Sequence, residues 1–232
     1  MRSTLGLVAA VTFVLGPALA WLRIVPGLVG FVLFALGGLV AILVGVASAV
    51  AAARGRGLTP GGAAALVCGL VFVAIAARSG GAPRINDFTT DLADPPAFRH
   101  AATLPANAGR DMSYPPAFAA VQQACCADLH PARLPVPPAD AFARARALAE
   151  RMPAWTITQA DPGSGAIEAI STTRLFGFHD DIAIRIRPDG GQGSRVDVRS
   201  KSRDGKGDIG ANAARIRAFV GELEGSAGRP PT

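Results

Sequence analysis

Residues 1–84 hold six arginines and not one aspartate, glutamate or lysine. Those arginines flank three uncharged apolar runs. The first spans residues 4–22, where only Thr4 and Thr12 are polar. The second, residues 25–53, is a longer sequence of Leu, Val, Gly and Ala. The third covers residues 58–77 and opens on Thr59 and Pro60, a position where proline is tolerated in a first helical turn. A helix needs about 20 apolar residues to cross the hydrocarbon core of a bilayer, and all three runs are predicted to do so. The middle one has length to spare for tilt. A buried helix of a soluble protein would turn a polar face to water, and none of the three has one. An integral membrane protein is therefore expected.

The charge pattern follows the same division. The whole formal charge of +6 lies in the apolar third, because the other 17 Lys and Arg balance all 17 Asp and Glu. A sequence pI near 10.2 would ordinarily suggest nucleic acid. Here the excess basic residues are flanks of apolar segments and the rest of the chain is neutral, so no nucleic-acid partner is expected. No Asp, Glu, His or Lys falls within a span, which disfavours a transporter or pump. Gly27, Gly30, Gly37, Gly38 and Gly45 predict close helix packing in the second run.

The first run has two readings. It is a retained span, or a cleaved secretory signal in which Arg2, an apolar core and Pro17 precede Ala18-Leu19-Ala20. Flanking arginines divide evenly, with Arg2, Arg54 and Arg56 against Arg23, Arg78 and Arg84, so they do not orient the chain. Counting crossings, with a cytoplasmic N-terminus if the first run is retained, gives the expected orientation, and the inverted topology is the alternative. Retained or cleaved, the first run leaves Arg54 and Arg56 in the cytoplasm and the C-terminal part outside. The expected location is a bacterial inner membrane with a periplasmic C-terminal domain.

Residues 79–138 read as a Pro- and Ala-rich connecting arm, extended along the domain, with an ordered entry at residues 85–91 and one short helix at 116–126. Proline at this density breaks helices and deprives sheet ladders of donors. Cys125 and Cys126 are adjacent, and the intervening peptide resists bridging them. Their spacing matches neither a zinc site nor a C-x-x-C motif.

Residues 139–224 read as an α+β domain. A helix over 138–152 carries Phe142, Ala145 or Arg146, and Ala149 at helical spacing and stops at Pro153. Four strands are predicted at 155–160, 166–173, 181–187 and 195–200, with turn signals at Asp161-Pro162-Gly163 and Pro188-Asp189-Gly190. Asp208 is placed to cap a last helix over 209–223, whose stripe is Ile209, Ala213, Ile216, Val220 and Leu223. The expected fold is helix, four-stranded antiparallel meander, helix, in two layers, behind two or three transmembrane helices. Residues 225–232 are expected to form a disordered tail.

Alternation assigns the faces. Ile182, Ile184, Ile186, Val196 and Val198 point toward the helices, and Asp181, Arg185, Arg187, Arg195, Asp197 and Arg199 point away. That second face is either a solvated ladder of ion pairs or a surface for a carboxylate or phosphate. Ser200, Ser202, Arg203 and Lys206, beside the last helix, extend it as candidate ligand residues, although Asp208 would repel an anion there. His179-Asp180-Asp181 is the one base-like cluster, but neighbouring strand residues point to opposite faces. Asp180 or Asp181 is expected to pair with Arg199, Arg203 or Arg215. Arg174-Leu175-Phe176-Gly177-Phe178 forms a turn that either dips into lipid, grips a partner or folds back as core. No catalytic residue, metal ligand or cofactor is assigned.

Three stretches carry a family resemblance: residues 178–185, with Phe178, His179 and Asp180; residues 196–203, with Asp197, Arg199 and Arg203; and residues 207–217, with Asp208, Asn212, Arg215 and Arg217. With Trp155 and the Ile167-Glu168-Ala169 strand, they make residues 83–224 resemble the bacterial and plastid "domain of unknown function 1499" family, many of whose members have an apolar N-terminal anchor. The resemblance implies the module and no established activity. The expected function is a membrane-anchored binding or accessory module, taking another envelope protein or a small anionic ligand. The alternative is a membrane-proximal hydrolase or lipid-modifying enzyme.

Overall fold

The computed structural model describes residues 2–79 and 81–225. The expected tail lies outside the described residues beyond Gly225. The chain divides into two compact units, Met1–Gly81 with Thr173–Phe178, and Ala82–Thr172 with His179–Thr232.

The first unit contains α1 (Arg2–Trp21), α2 (Gly27–Ala51) and α3 (Pro60–Ser79). Each is long and apolar enough to cross a membrane. Large apolar side chains such as Leu7, Val14, Leu43 and Leu70 face outward, while Ala9, Ala41 and Ala65 are buried between helices. Small residues bring the backbones together. A Cβ on Gly37 would stand 2.5 Å from the Phe13 nitrogen, and one on Gly45 would stand 2.7 Å from the Leu66 Cα. Phenylalanines fill the remaining gaps, with Phe13 4.7 Å from Phe34 and Phe34 5.5 Å from Phe72 between ring centroids. Ala52–Arg56 continues α2 as a π-helical turn, broken at Gly55, whose φ is 78°.

The second unit is built on an antiparallel sheet of six strands, where four were expected. The meander is β3 (Trp155–Asp161), β4 (Ala166–Thr172), β5 (His179–Pro188) and β6 (Ser194–Ser202). The two further strands come from the proline-rich arm. β1 (Asp87–Thr89) and β2 (Ala132–Leu134) both pair with the outer edge of β6, with Phe88 opposite Ser200 and Arg133 opposite Arg195. Three residues are too short to show an alternation, and both pairings are long-range, so neither strand has a local signature. Together they cover an edge that would otherwise leave backbone groups unpaired.

Helices α4 (Pro116–Cys126), α5 (Pro138–Arg151) and α6 (Ala211–Gly225) complete the unit. Leu148 from α5 and Ile216, Phe219 and Leu223 from α6 join Ile182, Ile184, Val196 and Val198 in one buried core. Trp155 stacks on Phe219 at 5.4 Å. On α4, the buried Gln122 accepts from the Thr89 N–H at 3.0 Å and donates to the Thr89 carbonyl at 2.6 Å. A side-chain amide thereby takes the place of a further strand beside β1.

The last helix begins later than the apolar stripe suggested. Asp208 accepts from the Gly210 and Asn212 N–H groups at 2.9 and 2.6 Å, and Ile209 sits in the turn at φ 57°, exposed. The cap geometry overrides the pattern, because closing this turn takes Ile209 out of the helix and off its apolar face.

Candidate functional site

The polar face of the sheet is roofed by the arm. Arg185, Arg187 and Arg195 point away from the core as alternation required, and three carboxylates meet them. Arg185 and Arg187 bond Asp94 at 2.9 Å each, Arg195 bonds Asp91 at 2.7 Å, and Arg187 and Arg195 bond Asp197 at 2.9 and 2.8 Å. Three cations and three anions form one balanced network, with Asp197 fully buried beneath it. Burial alone would raise the Asp91 carboxyl. The Asp94 backbone N–H, the Arg195 charge and further hydrogen bonds outweigh it and hold the carboxyl below its ordinary value. This cluster fastens the segment around Asp91–Asp94 to β5 and β6.

One step along β6 the balance changes. Arg199 is 2% exposed and donates to both Asp87 oxygens at 2.9 and 2.7 Å, to the Pro96 carbonyl at 3.1 Å and to the Met112 carbonyl at 3.0 Å. Lys201 donates to the same Asp87 at 3.0 Å and to the Ser113 carbonyl at 3.2 Å. Two buried cations therefore share one buried carboxylate. The guanidinium lies 4.6 Å from the Phe98 ring centre and 5.6 Å from that of Tyr114. Above it opens a cavity of about 560 Å3, walled by Leu92, Phe98, Met112, Tyr114 and Ala119 with Arg199 at its base. Burial, aided by the Asp87 charge, pushes the Tyr114 phenol well above its ordinary value. It stays protonated and donates to Gln122 at 3.2 Å. The exposed Asp111 carboxyl is lowered chiefly by hydrogen bonds from Ser113, with smaller contributions from Lys201 and Arg199.

Two further arm contacts hold this roof. Buried Glu168 on β4 accepts from three consecutive backbone N–H groups, those of Arg99, His100 and Ala101, at 2.7, 2.8 and 2.7 Å. Asp181 forms a bidentate pair with Arg203 (closest contact 2.6 Å) and accepts from buried Asn107 at 3.0 Å.

The remaining candidates lie elsewhere. Asp180 faces the helices and pairs with Arg215 at 2.6 Å. Ser200 donates to Asn212 at 2.6 Å and accepts from Arg215, while Ser202 accepts from Asn212 at 2.9 Å. These serines tie β6 to α6 and are buried. Lys206 is exposed in the connection to α6. His179 is exposed with its ring nitrogen 3.0 Å from the Thr172 hydroxyl. Thus the His179-Asp180-Asp181 triplet faces three different surroundings, and none of its members lines the Arg199 cavity. Cys126 is in the core, and Cys125 is pushed up to about 11 by burial and by the adjacent thiol. Among the described residues, no group of three or more His, Cys, Asp or Glu is placed to hold a metal ion.

The strand pattern named Arg199 but passed over Lys201, which continues the same alternation two residues on. Asp87, Asp91, Tyr114 and Glu168 had no comparable signal, since each matters only once the arm has folded back.

The structure defines a class: an antiparallel sheet packed by helices on one face and roofed by its own N-terminal arm on the other, in a chain that opens with three apolar helices. The family model described as "Protein of unknown function (DUF1499)" matches residues 87–223, more than half of the chain, and the protein belongs to that family. The match begins at β1, so it takes in the arm with the sheet. No curated protein and no solved structure matches.

Proposed function

We propose that this protein is a membrane-anchored binding module that takes a small molecule with an apolar body and one anionic group. α1–α3 hold it in the bilayer. The sheet unit faces the periplasm, the arrangement in which Arg54 and Arg56 stay on the cytoplasmic side. The observation that carries the reading is Arg199 lining an apolar cavity while it shares the Asp87 carboxylate with Lys201. A buried cation without a full counter-charge is costly. A carboxylate or phosphate brought in on an apolar body would complete the pairing. The divergence of His179, Asp180 and Asp181 supports binding over hydrolysis.

The test uses the full-length protein in nanodiscs and three probes of one shape: 2-naphthoate, 2-naphthol and 2-naphthylmethylammonium. Calorimetry is expected to show 2-naphthoate binding at least tenfold more tightly than the cation, with the neutral alcohol between. Ala119→Trp, which fills the cavity without touching a charge, is expected to abolish that binding. Equal affinities, or binding that survives Ala119→Trp, would reject the site. For orientation, alkaline phosphatase fused after Thr232 is expected to be active. Fluorescence from a reporter that folds only in the cytoplasm would reverse the topology.

A further inference from the structure

The segment Thr173–Phe178, which links β4 to β5, clusters with the helices. Phe176 lies 5.5 Å from Phe31 and 6.1 Å from Phe34, and Phe178 lies 6.0 Å from Phe31, between ring centroids. These are not contacts with the rim of α2. Phe34 is seven residues past Gly27, roughly 10 Å along the axis from the first residue of the helix at about 1.5 Å per residue. The approach is close enough to restrict residue type. A Cβ on Gly27 would collide with the Phe176 carbonyl, and one on Gly177 would collide with the Arg23 guanidinium. Gly177 also has a φ of 67°, which side-chain-bearing residues rarely adopt.

A loop entering an apolar layer must satisfy its own backbone. This one does so in part by closing on itself. The Thr173 N–H donates to the Phe178 carbonyl and the Gly177 N–H to the Thr173 carbonyl, both at 2.9 Å, and the Phe178 N–H donates to the Thr173 hydroxyl at 2.9 Å. The side chain left outside this packing is Leu175, 46% exposed. At the same end of the helices Leu22, Ile24 and Leu28 are also exposed, so the apolar surface of the spans continues onto the tip of the loop. Arg174, next to Leu175, is exposed and long enough to reach a lipid phosphate.

We infer that Thr173–Phe178 is a fourth membrane-embedded element, a wedge whose Phe176 and Phe178 pack on α2 while Leu175 touches acyl chains. This rests on the membrane-anchored reading above, and the experiment separates the two. The full-length wild-type protein is placed in phosphatidylcholine nanodiscs containing a lipid with a diazirine at mid-chain, irradiated and digested with trypsin. Cleavage after Arg174 and Arg185 isolates the tip as the peptide 175–185. Label is expected in that peptide, at Leu175 foremost, and in peptides from α1–α3. Phe176→Ser unseats the wedge and is expected to lower labelling of 175–185 at least fivefold while leaving the helix peptides unchanged. Label in the helix peptides with none in 175–185 would overturn the wedge and leave the anchor standing. So would tip labelling that Phe176→Ser does not change, since that label would not depend on insertion. Label in neither would overturn both.

Discussion

The two units solve the same packing problem with opposite chemistry. Among the described residues, no salt bridge falls in the helix unit, whose contacts are glycine against backbone and phenylalanine against phenylalanine. The sheet unit buries Asp87, Asp181, Asp197 and Arg199 and pairs each of them. On the membrane-anchored reading proposed above, the difference follows from what surrounds each surface, lipid for the helices and water for the sheet unit. Helices with Leu and Val facing outward gain little by burying apolar side chains against one another in lipid, so close approach of small residues does the work. A sheet unit in water gains from its apolar core and can also bury charges, provided every one has a partner.

The largest expected effect tests whether paired charge holds the sheet unit together. Asp87→Ala leaves Arg199 and Lys201 buried without their shared carboxylate. Removing one partner of a buried ion pair costs about 3–5 kcal/mol. Urea unfolding in nanodiscs, followed by Trp155 fluorescence in a Trp21→Phe background, is expected to show a loss of that size. A loss below about 1 kcal/mol would mean that the carbonyls of Pro96, Met112 and Ser113 hold the cations unaided. The contrast with the helix unit would then weaken.

The converse substitution addresses the helices. Gly37→Leu would drive a side chain into the Phe13 backbone, and overpacking costs about 1–3 kcal/mol. Thermal unfolding of the helix unit is expected to shift down, with the Trp155 signal of the sheet unit unchanged. If both signals shift together, the two units do not unfold independently and the comparison must be redrawn.

How much of this was legible in the sequence depends on the range of the interaction. The three apolar helices were visible because each is a contiguous run, and β3–β6 because their alternation extends over seven to ten residues. Pairing of Asp180 or Asp181 with an arginine was expected, and both are paired, with Arg215 on α6 and with Arg203 just past β6. That the arm lies along the domain was legible, but the contacts that make it a roof were not. Arg185, Arg187, Arg195 and Arg199 look alike along their strands, yet Arg199 alone is buried against rings from the arm. Asp91 and Asp94 come from a proline-rich stretch about a hundred residues away. Glu168 read as one more strand residue, while its carboxylate gathers three arm N–H groups. A helix period or a strand period cannot encode such contacts, because the arm has neither.

The smallest expected effect separates the units by acid. Asp91 joins the network of Arg185, Arg187 and Arg195 with Asp94 and Asp197, and its carboxyl is held below its ordinary value of 3.8. A carboxyl lowered by folding stabilises the folded state fully above its unfolded value, and that contribution fades as pH falls through the lowered folded value. The helix unit has no Asp or Glu, so it has nothing comparable to lose. The three arginines are a fifth to a third exposed, which screens the network and keeps the effect below that of Asp87→Ala. Hydrogen exchange, corrected for its intrinsic pH dependence, is expected to speed up around Asp91–Asp94 between pH 5 and pH 3, values chosen to bracket about 3.9, the usual Asp range. α1–α3 are expected not to change. Asp91→Asn, which cannot titrate, should already exchange faster at pH 7 and show a smaller further change on acidification. Equal acid sensitivity in the variant and the wild type would place the response in other carboxylates and remove Asp91 from the fastening of the arm.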